Sequence, residues 1–495
     1  MYDVLWPICV LPFVTGAAAL VCRRTHTLRW ALTAGTGIGL VLDAWALLDP
    51  AGQASLGGLL RLDGLARVLL AVVATVGALS TAESWSHWAG APRHADPHAA
   101  HGGHGIAARR VYFFWQQTFL GTLLVAALSA NLGLSWVAIE LTTITSAVLV
   151  GSAGTRRAVE AAWKYVVLCS VGLALALLTV ILLYALSGGG GLGALDWTAL
   201  RAVAATFPTG PAKLAYLFAL VGFGTKSGLA PLHAWLPDAH SEAPAPVSAL
   251  LSGVLLAVVL CTLVRVATVT AVVTGPAFPY HLLLGAGLLS VLVAAPFLVL
   301  QDDVKRLLAY SSIEQIGLMA VGFGLHAPLA AYAAVLQLVV HALTKSGLFF
   351  TAGRVLHEVG SQRLTRLQAL GQRAPLLGAG LLFGVFTLGG LPPFGMFFSE
   401  LSIVRGALAA NVGVGMVLLG LLAAIFGGLF YYAGQAVFGS VRAAAAARPP
   451  RPSVAAIAIL GIPAALSLLV GLWTPGPVAH GIAAAARLAL GGRHV

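Results

Sequence analysis

An all-α integral membrane protein of about fourteen transmembrane helices is the fold class that this sequence predicts. Three observations carry the prediction. Hydrophobic residues fill 59% of the 495 positions and charged residues only 9%, and the mean hydropathy of +0.93 lies far above that of soluble domains. Apolar stretches of about 20 residues, enough to cross about 30 Å of hydrocarbon, recur from end to end with short polar breaks between them. Two of these stretches are interrupted by helix breakers just where a polar residue enters, the pattern of helices that line a cavity.

The first stretch, VLWPICVLPFVTGAAALVC (4–22), follows Asp3 and precedes Arg23 and Arg24. That charge order is the reverse of a cleavable signal peptide's, so it reads as a retained span. Spans 2 and 3 are expected at 30–48 and 62–82. Behind them, PRHADPHAAHGGHG (92–105) spaces His98, His101 and His104 by three, and reads as a solvated glycine-rich loop rather than a metal site. Residues 1–110 form one unit.

Spans 4 to 8 follow at 111–130, 132–151, 160–186, 212–235 and 246–270, making a second unit over 111–270. Spans 9 to 13, at 280–300, 303–325, 328–352, 376–404 and 411–439, make a third over 280–439. Span 14 (453–473) and a tail complete the chain to residue 495. The seventh span is broken at GLAPLH (228–233) and the twelfth at GGLPPFG (389–395). If the two five-span units are inverted repeats, these breaks correspond, with Lys226 beside one and Glu400 beside the other. The TKSGL echo at 225–229 and 344–348 joins non-equivalent spans and reads as similar local chemistry.

Seventeen Lys and Arg residues fall in the odd-numbered connections, from Arg23, Arg24 and Arg29 after span 1 to Arg442, Arg448 and Arg451 after span 13. Five (Arg61, Arg201, Lys213, Arg265 and Arg405) fall in the even ones. The positive-inside rule then makes the odd loops cytoplasmic and places both termini on the other side. The net charge of +12 reflects this topology and contact with phospholipid, and argues nothing for nucleic acid. Cys9, Cys22, Cys169 and Cys261 sit singly in apolar spans, so they cannot seed an iron–sulfur cluster. The glycine run SGGGGLG (187–193) follows a span and leads into a surface segment, unlike a dinucleotide fingerprint. No cofactor is expected in this chain, and redox chemistry is expected in partners.

A Lys or Glu at mid-membrane costs at least about 2.5–3.5 kcal/mol, so such residues are expected to be paired and functional. The candidates are Glu140 in span 5, Lys226 in span 7, His341 and Lys345 four apart in span 11, and Glu400 in span 12. Glu140 is the expected partner of Lys226, and His341 a group able to pass protons either way. Glu314 is a weaker candidate, close to a span end where a loop residue would pair with it. Asp303 heads the same span. The segment HAWLPDAHSEAP, with His233, Asp238, His240 and Glu242, is expected at the external mouth of span 7, as a proton entry or as plain capping and turn chemistry.

These segments carry a family resemblance. GFGTKSGLAPLHAWLPDAHSEAPAPVSALLSG, DVKRLLAYSSIEQIG, HALTKSGLFF and GLPPFGMFFSE are similar to the antiporter-like proton-pumping subunits of respiratory complex I and its Mrp relatives, over about residues 60–440. Within that superfamily, WVAIELTTITSAVLVG and EAAWKYVVLCSVGLALAL most resemble the F-type membrane subunit of hydrogenase 4 and related membrane-bound nickel–iron hydrogenases. The resemblance implies fourteen helices, inverted five-helix repeats and a central hydrophilic axis. It assigns Glu140 as coupling carboxylate, Lys226 as relay, His341 and Lys345 as connection, and Glu400 as terminal site. Where complex I relatives carry a Lys or His in span 8, LLSGVLLAVVLCTLV (250–264) offers only Ser252 and Thr262, so the path there must use water or hydroxyls.

The function expected is proton translocation by a non-catalytic membrane subunit of an NADH dehydrogenase-like or hydrogenase-like complex. Its partners would be other membrane subunits, antiporter-like and coupling, and soluble catalytic subunits, at a bacterial or archaeal cytoplasmic membrane. The alternatives are a cation/proton antiporter, a subunit of an inorganic-carbon uptake complex, and a membrane arm that no longer conducts.

Overall fold

In hydrocarbon a backbone amide has only other backbone groups to bond, so the apolar stretches close their own hydrogen bonds as helices. The computed structural model describes residues 4–48, 54–89, 105–439 and 453–492. His98, His101 and His104 lie outside the described residues. Helices α1 (Leu5–Val21) and α2 (Thr25–Leu48) form an antiparallel pair. A small antiparallel hairpin, β1 (Ala54–Ser55) with β2 (Leu60–Arg61), leads into α3 (Gly64–Ala89) and α4 (Ile106–Leu128).

The next group is α5 (Leu132–Val150), α6 (Arg156–Leu186), a short surface helix α7 (Trp197–Val203), α8 (Thr209–Ser227), α9 (Trp235–Glu242), α10 (Ala245–Leu250) and α11 (Leu256–Thr274). Between α10 and α11 the helix runs on through a single π turn, Leu251–Leu255. Helices α12 (Ala277–Leu300), α13 (Val304–Gly324), α14 (Pro328–Val359), α15 (Leu370–Arg373), α16 (Pro375–Leu388), α17 (Gly395–Ala410) and α18 (Val412–Phe438) follow, then α19 (Val454–Leu472) and α20 (Gly476–Ala489). Among the described residues, eleven helices are long and apolar enough to cross a membrane, with the shorter apolar α1 and α16 beside them.

Side-chain caps fix several starts. Asn131, Thr155, Asp303 and Asn411 accept from the backbone N–H of Leu134, Ala158, Arg306 and Val414, at 3.1, 3.1, 2.9 and 3.1 Å. The two expected breaks are present. Helix α8 stops at Gly228, whose φ of +81° is open to glycine at little cost, and α9 begins seven residues later. Helix α16 stops before Gly390 (φ +63°), and α17 begins at Gly395. The tail that the sequence left undivided contains α20, which packs against α3 and α14.

Burial sorts the helices. The π-turn helix α10–α11 and helix α13 are buried almost throughout, whereas α2 shows lipid-type side chains such as Trp30, Val41 and Trp45 over most of its surface. One end of the bundle gathers Lys164, Asp238, Arg306, Glu83 and Arg354 in ion pairs. The other gathers the hairpin, α7 and the end of α20. There Arg61 pairs with Asp196 at 2.9 Å, Arg265 with Asp63 at 2.7 Å, and Arg201 donates to the carbonyls of Gly491 and Gly492. The first turn of α1 packs at this second end, against the hairpin.

Candidate functional site

Lys226 sits in the last turn of α8, just before the break, and is fully buried. Its ammonium donates to Thr143 Oγ1 at 2.8 Å and to the Tyr165 hydroxyl at 2.5 Å, and it lies over the Tyr165 ring at 4.4 Å. Tyr165 in turn shares a 2.7 Å hydrogen bond with Ser146, and its ring packs 4.7 Å from Trp235. Trp235 donates its indole N–H to the carbonyl of Thr225, which ties α9 back across the break onto α8.

The expected Glu140–Lys226 ion pair is not formed. Glu140 Oε1 accepts from Ser170 at 3.0 Å, and among the described residues its buried Oε2 has no hydrogen-bond partner and no carboxylate lies within 4.0 Å of Lys226. Two hydroxyl oxygens and an aromatic face hold the lysine instead, acceptors and π charge that satisfy an ammonium without a fixed counter-ion.

The helix that lacks a titratable group at Ser252 carries the π turn there. A π turn shifts carbonyls out of the i→i−4 ladder. The carbonyl of Ser252 lies 3.3 Å from His341 Nε2, and its hydroxyl shares a 2.7 Å bond with Ser312. His341 Nδ1 is buried without a partner.

Helix α13 organises the groups between Lys345 and Glu400. Leu308, Ser311, Ser312 and Gln315 recur at i, i+3, i+4 and i+7, so they share one face. Lys345 donates to the Leu308 carbonyl at 2.7 Å and to the Ser311 hydroxyl. Gln315 Nε2 reaches both oxygens of Glu314, at 3.0 and 2.9 Å, and Glu400 Oε1 at 3.1 Å. Gln337 donates to Gln315, and Ser399 to Gln337. Glu314 is therefore no loop-paired residue at a span end. It is 1% exposed in mid-helix, bridged to Glu400 through one amide, because α13 runs on ten residues past it inside the protein.

Gly390 completes the Glu400 pocket. A Cβ there would stand 2.2 Å from Glu400 Oε2, so the α16–α17 break brings bare backbone against the carboxylate.

The accessory candidates divide. Asp238 pairs with Lys164 at 3.2 Å and with Arg306 at 2.5 Å, two residues of the odd-numbered connections and their flanks. The segment HAWLPDAHSEAP thus lies at the end of the bundle carrying those loops. The break turns α9 back across that same end. His240 is fully buried between Trp235 and Phe349, with both ring nitrogens unpartnered. His233 and Glu242 are half-buried. Asp303 caps α13.

Sequence reasoning missed Tyr165, Thr143, Ser146, Gln315 and Gln337, because it searched for charge and not for uncharged polar groups at helical spacing. It also counted Lys305 as a surface charge. That residue is 4% exposed, and its ammonium donates to the carbonyls of Ser241 and Ala243, at 3.2 and 2.6 Å, beside His240.

Residues 129–427, which carry this geometry, match the family model described as NADH:quinone oxidoreductase/Mrp antiporter, transmembrane. A hydrogenase-4 component F homologue of Methylacidiphilum infernorum (isolate V4) is 41% identical over 322 residues, covering 62% of this chain and 67% of that protein. NADH-quinone oxidoreductase subunit N of Desulforudis audaxviator (strain MP104C) is 33% identical over 286 residues, 57% of this chain and 56% of that one. The chain thus spans between about half and two thirds of the length of these curated relatives. A chain of respiratory complex I from Thermus thermophilus with bound NADH shares the fold, at a TM-score of 0.82 and 24% identity, over 99% of this chain and 100% of that one. The resemblance drawn from the motifs holds, and so does the expected fold class, an all-α, multi-pass integral membrane protein. This chain belongs to the NADH:quinone oxidoreductase/Mrp antiporter transmembrane family.

Proposed function

We propose that the chain is the proton-translocating membrane subunit of a larger complex I-like or hydrogenase-like assembly, driven by chemistry in partner subunits. One observation carries this reading: ionisable groups on α5, α8, α13, α14 and α17, all buried except the half-buried Glu140, hold hydroxyl, amide or carbonyl partners and read as a lateral series. Each would cost several kcal/mol in hydrocarbon that an apolar residue would not. The series runs from Glu140–Ser170 to Lys226 with Thr143 and Tyr165, then Ser252–His341, Lys345–Ser311, and Glu314–Gln315–Glu400. Among the described residues no hydrogen bond joins Glu140 to Lys226, the Lys226 cluster to Ser252, or Lys345 to Glu314, and a moving proton or a moving side chain would close these gaps. The hydroxyls around Ser252 supply polar steps where the helix has no titratable group.

The two half-units behave as repeats in this reading, α8 and α16–α17 being the paired broken helices. The odd-loop end faces the cytoplasm and both termini face outward. This is supported by the gathering of Lys164, Arg306 and Arg354 at one end, and of α1's first turn and α20's last turn at the other. The partners are other membrane subunits and the soluble subunits that run the driving reaction.

The test is proton uptake into sealed vesicles containing the assembled complex during turnover. Uptake that is lost with Glu400→Gln, at unchanged assembly, supports the reading. Turnover without proton movement in the parent complex overturns it. Transport that needs Na⁺ and no electron donor selects the antiporter instead.

A further inference from the structure

The helices before the family-matched region hold a second buried polar system that the Lys226–Glu400 series does not touch. Helix α2 is peripheral and buries only Leu28, Leu32, Asp43 and Ala46. One of the four is a carboxylate, an arrangement that costs energy without a return in packing. Asp43 is 7% exposed, and among the described residues its Oδ1 has no hydrogen-bond partner and no Lys or Arg nitrogen lies within 4.0 Å of it. It lines a cavity of about 40 Å³ together with Thr15, Thr36 and Gln117, between apolar walls of α1, α3 and α4. That is polar and roomy enough for water.

From Gln117 a seam of uncharged polar groups continues between α3 and α4. Gln117 donates to Thr81 at 3.2 Å. One residue back along each helix, Gln116 donates to the Ser80 carbonyl at 3.2 Å and to Ser84 Oγ at 2.8 Å, and Ser84 meets the Tyr112 hydroxyl at 3.0 Å. Beside Ser84 stands Glu83, paired with Arg354 at 2.5 Å. Among the described residues Ser80 Oγ and Gln116 Oε1 are buried without partners, as Asp43 Oδ1 is.

The seam spans the bundle. Asp43 lies five residues from the hairpin end of α2, about 7–8 Å at 1.5 Å per residue, and Glu83 lies six residues, about 9 Å, from the opposite end of α3. The ionisable group that interacts with Asp43 is the Cys9 thiol on α1.

We infer that Asp43 is a proton-exchanging site, and that its cavity with the Gln117–Thr81 and Gln116–Ser84–Tyr112 seam forms a second, separate proton route through α1–α4. The proton moves between the Asp43 carboxyl and cavity water. The ligand assigned is the proton, and competition by Na⁺ for the same oxygens is an outcome of the test.

The assay uses dicyclohexylcarbodiimide, which reacts with protonated carboxyls in apolar surroundings, on membranes containing the assembled chain, read by peptide mass. The expected result is an Asp43 adduct that rises several-fold as the medium is acidified and is unchanged by excess Na⁺. No Asp43 adduct at mildly acidic pH, or protection by Na⁺ at constant pH, overturns the assignment. For the route, Asp43→Asn should lower proton uptake measurably below the parent's, leaving the part carried by the Lys226–Glu400 series, and Asp43→Glu restore it. Should Asp43→Asn fail to assemble, Ser84→Ala interrupts the seam and is read in its place. Uptake equal to the parent's in whichever variant assembles overturns the route. Labelling needs no transport by the Lys226–Glu400 series, so failure of one reading is distinguishable from failure of the other.

Discussion

Gly390→Ala should inactivate proton movement from a position that carries no polar group. The residue has φ +63°, where a side chain costs about 1–2 kcal/mol. The new Cβ would stand 2.2 Å from Glu400 Oε2, against the about 3.5–4.0 Å of ordinary contact, so the carboxylate must swing by more than 1 Å. The Gln315–Glu400 bond, now 3.1 Å, then passes beyond hydrogen-bond range, a loss of about 1.5–3 kcal/mol for a charged acceptor. At about 1.4 kcal/mol per tenfold, transport through Glu400 should fall by roughly tenfold or more. The control is Gly389→Ala. Its Cβ meets the Phe426 ring at 2.6 Å and leaves Glu400 untouched, so it strains packing of the same break without displacing the carboxylate. Vesicle proton uptake, normalised to assembled complex, decides. Equal rates for the two variants, or parental uptake by Gly390→Ala, would refute the argument that this glycine exists to seat Glu400.

Lys226→Met and Lys226→Arg should both assemble and both fail in proton uptake, the first having no proton and the second, which keeps its charge at any accessible pH, having none to release; a pumping Arg variant would reduce Lys226 to a fixed counter-charge. Tyr165→Phe keeps the ring under the ammonium and removes the hydroxyl joining Lys226 to Ser146, so it should slow uptake severalfold at a stability loss of about 1–3 kcal/mol, read by uptake beside thermal melting. A cysteine replacing the exposed Glu160, in an otherwise cysteine-free chain, should react with an impermeant maleimide only after the membrane is opened, and labelling of intact cells would contradict the proposed sidedness. Burial alone would raise the Asp196 carboxyl, but bonds from Thr198 and the charge of Arg61 hold it below the usual carboxylate range. A depressed carboxylate stabilises above its unfolded pKa of about 3.9 and loses that contribution as pH falls through its folded value, so hydrogen exchange of the hairpin and α7 should accelerate only below about pH 4.

The sequence by itself determined the features that burial in lipid dictates along one dimension. Helix lengths, the Gly-Pro breaks at 228–233 and 389–395, and the shortlist Glu140, Lys226, His341, Lys345 and Glu400 are legible because hydrocarbon penalises every charge and every open amide at the residue that carries it. Pairing is not legible in this way. Whether Lys226 meets Glu140 or the hydroxyls of Thr143 and Tyr165 depends on which rotamers three helices bring within 3 Å, and the two bonds it does make reach 83 and 61 positions back along the chain. The π turn at Ser252 was equally hidden, since one extra residue in a turn leaves no mark on composition or periodicity. Glu314 and Lys305 were misplaced for one reason: position near a span end says how far a residue lies along its own helix. Only packing says what stands above it. Buried Lys305 spends its charge on two carbonyls of another helix, and Glu314 on an amide that it shares with Glu400. Tertiary structure decided those partners, because a buried polar group takes the nearest complementary atom in space and the chain order does not record which atom that is.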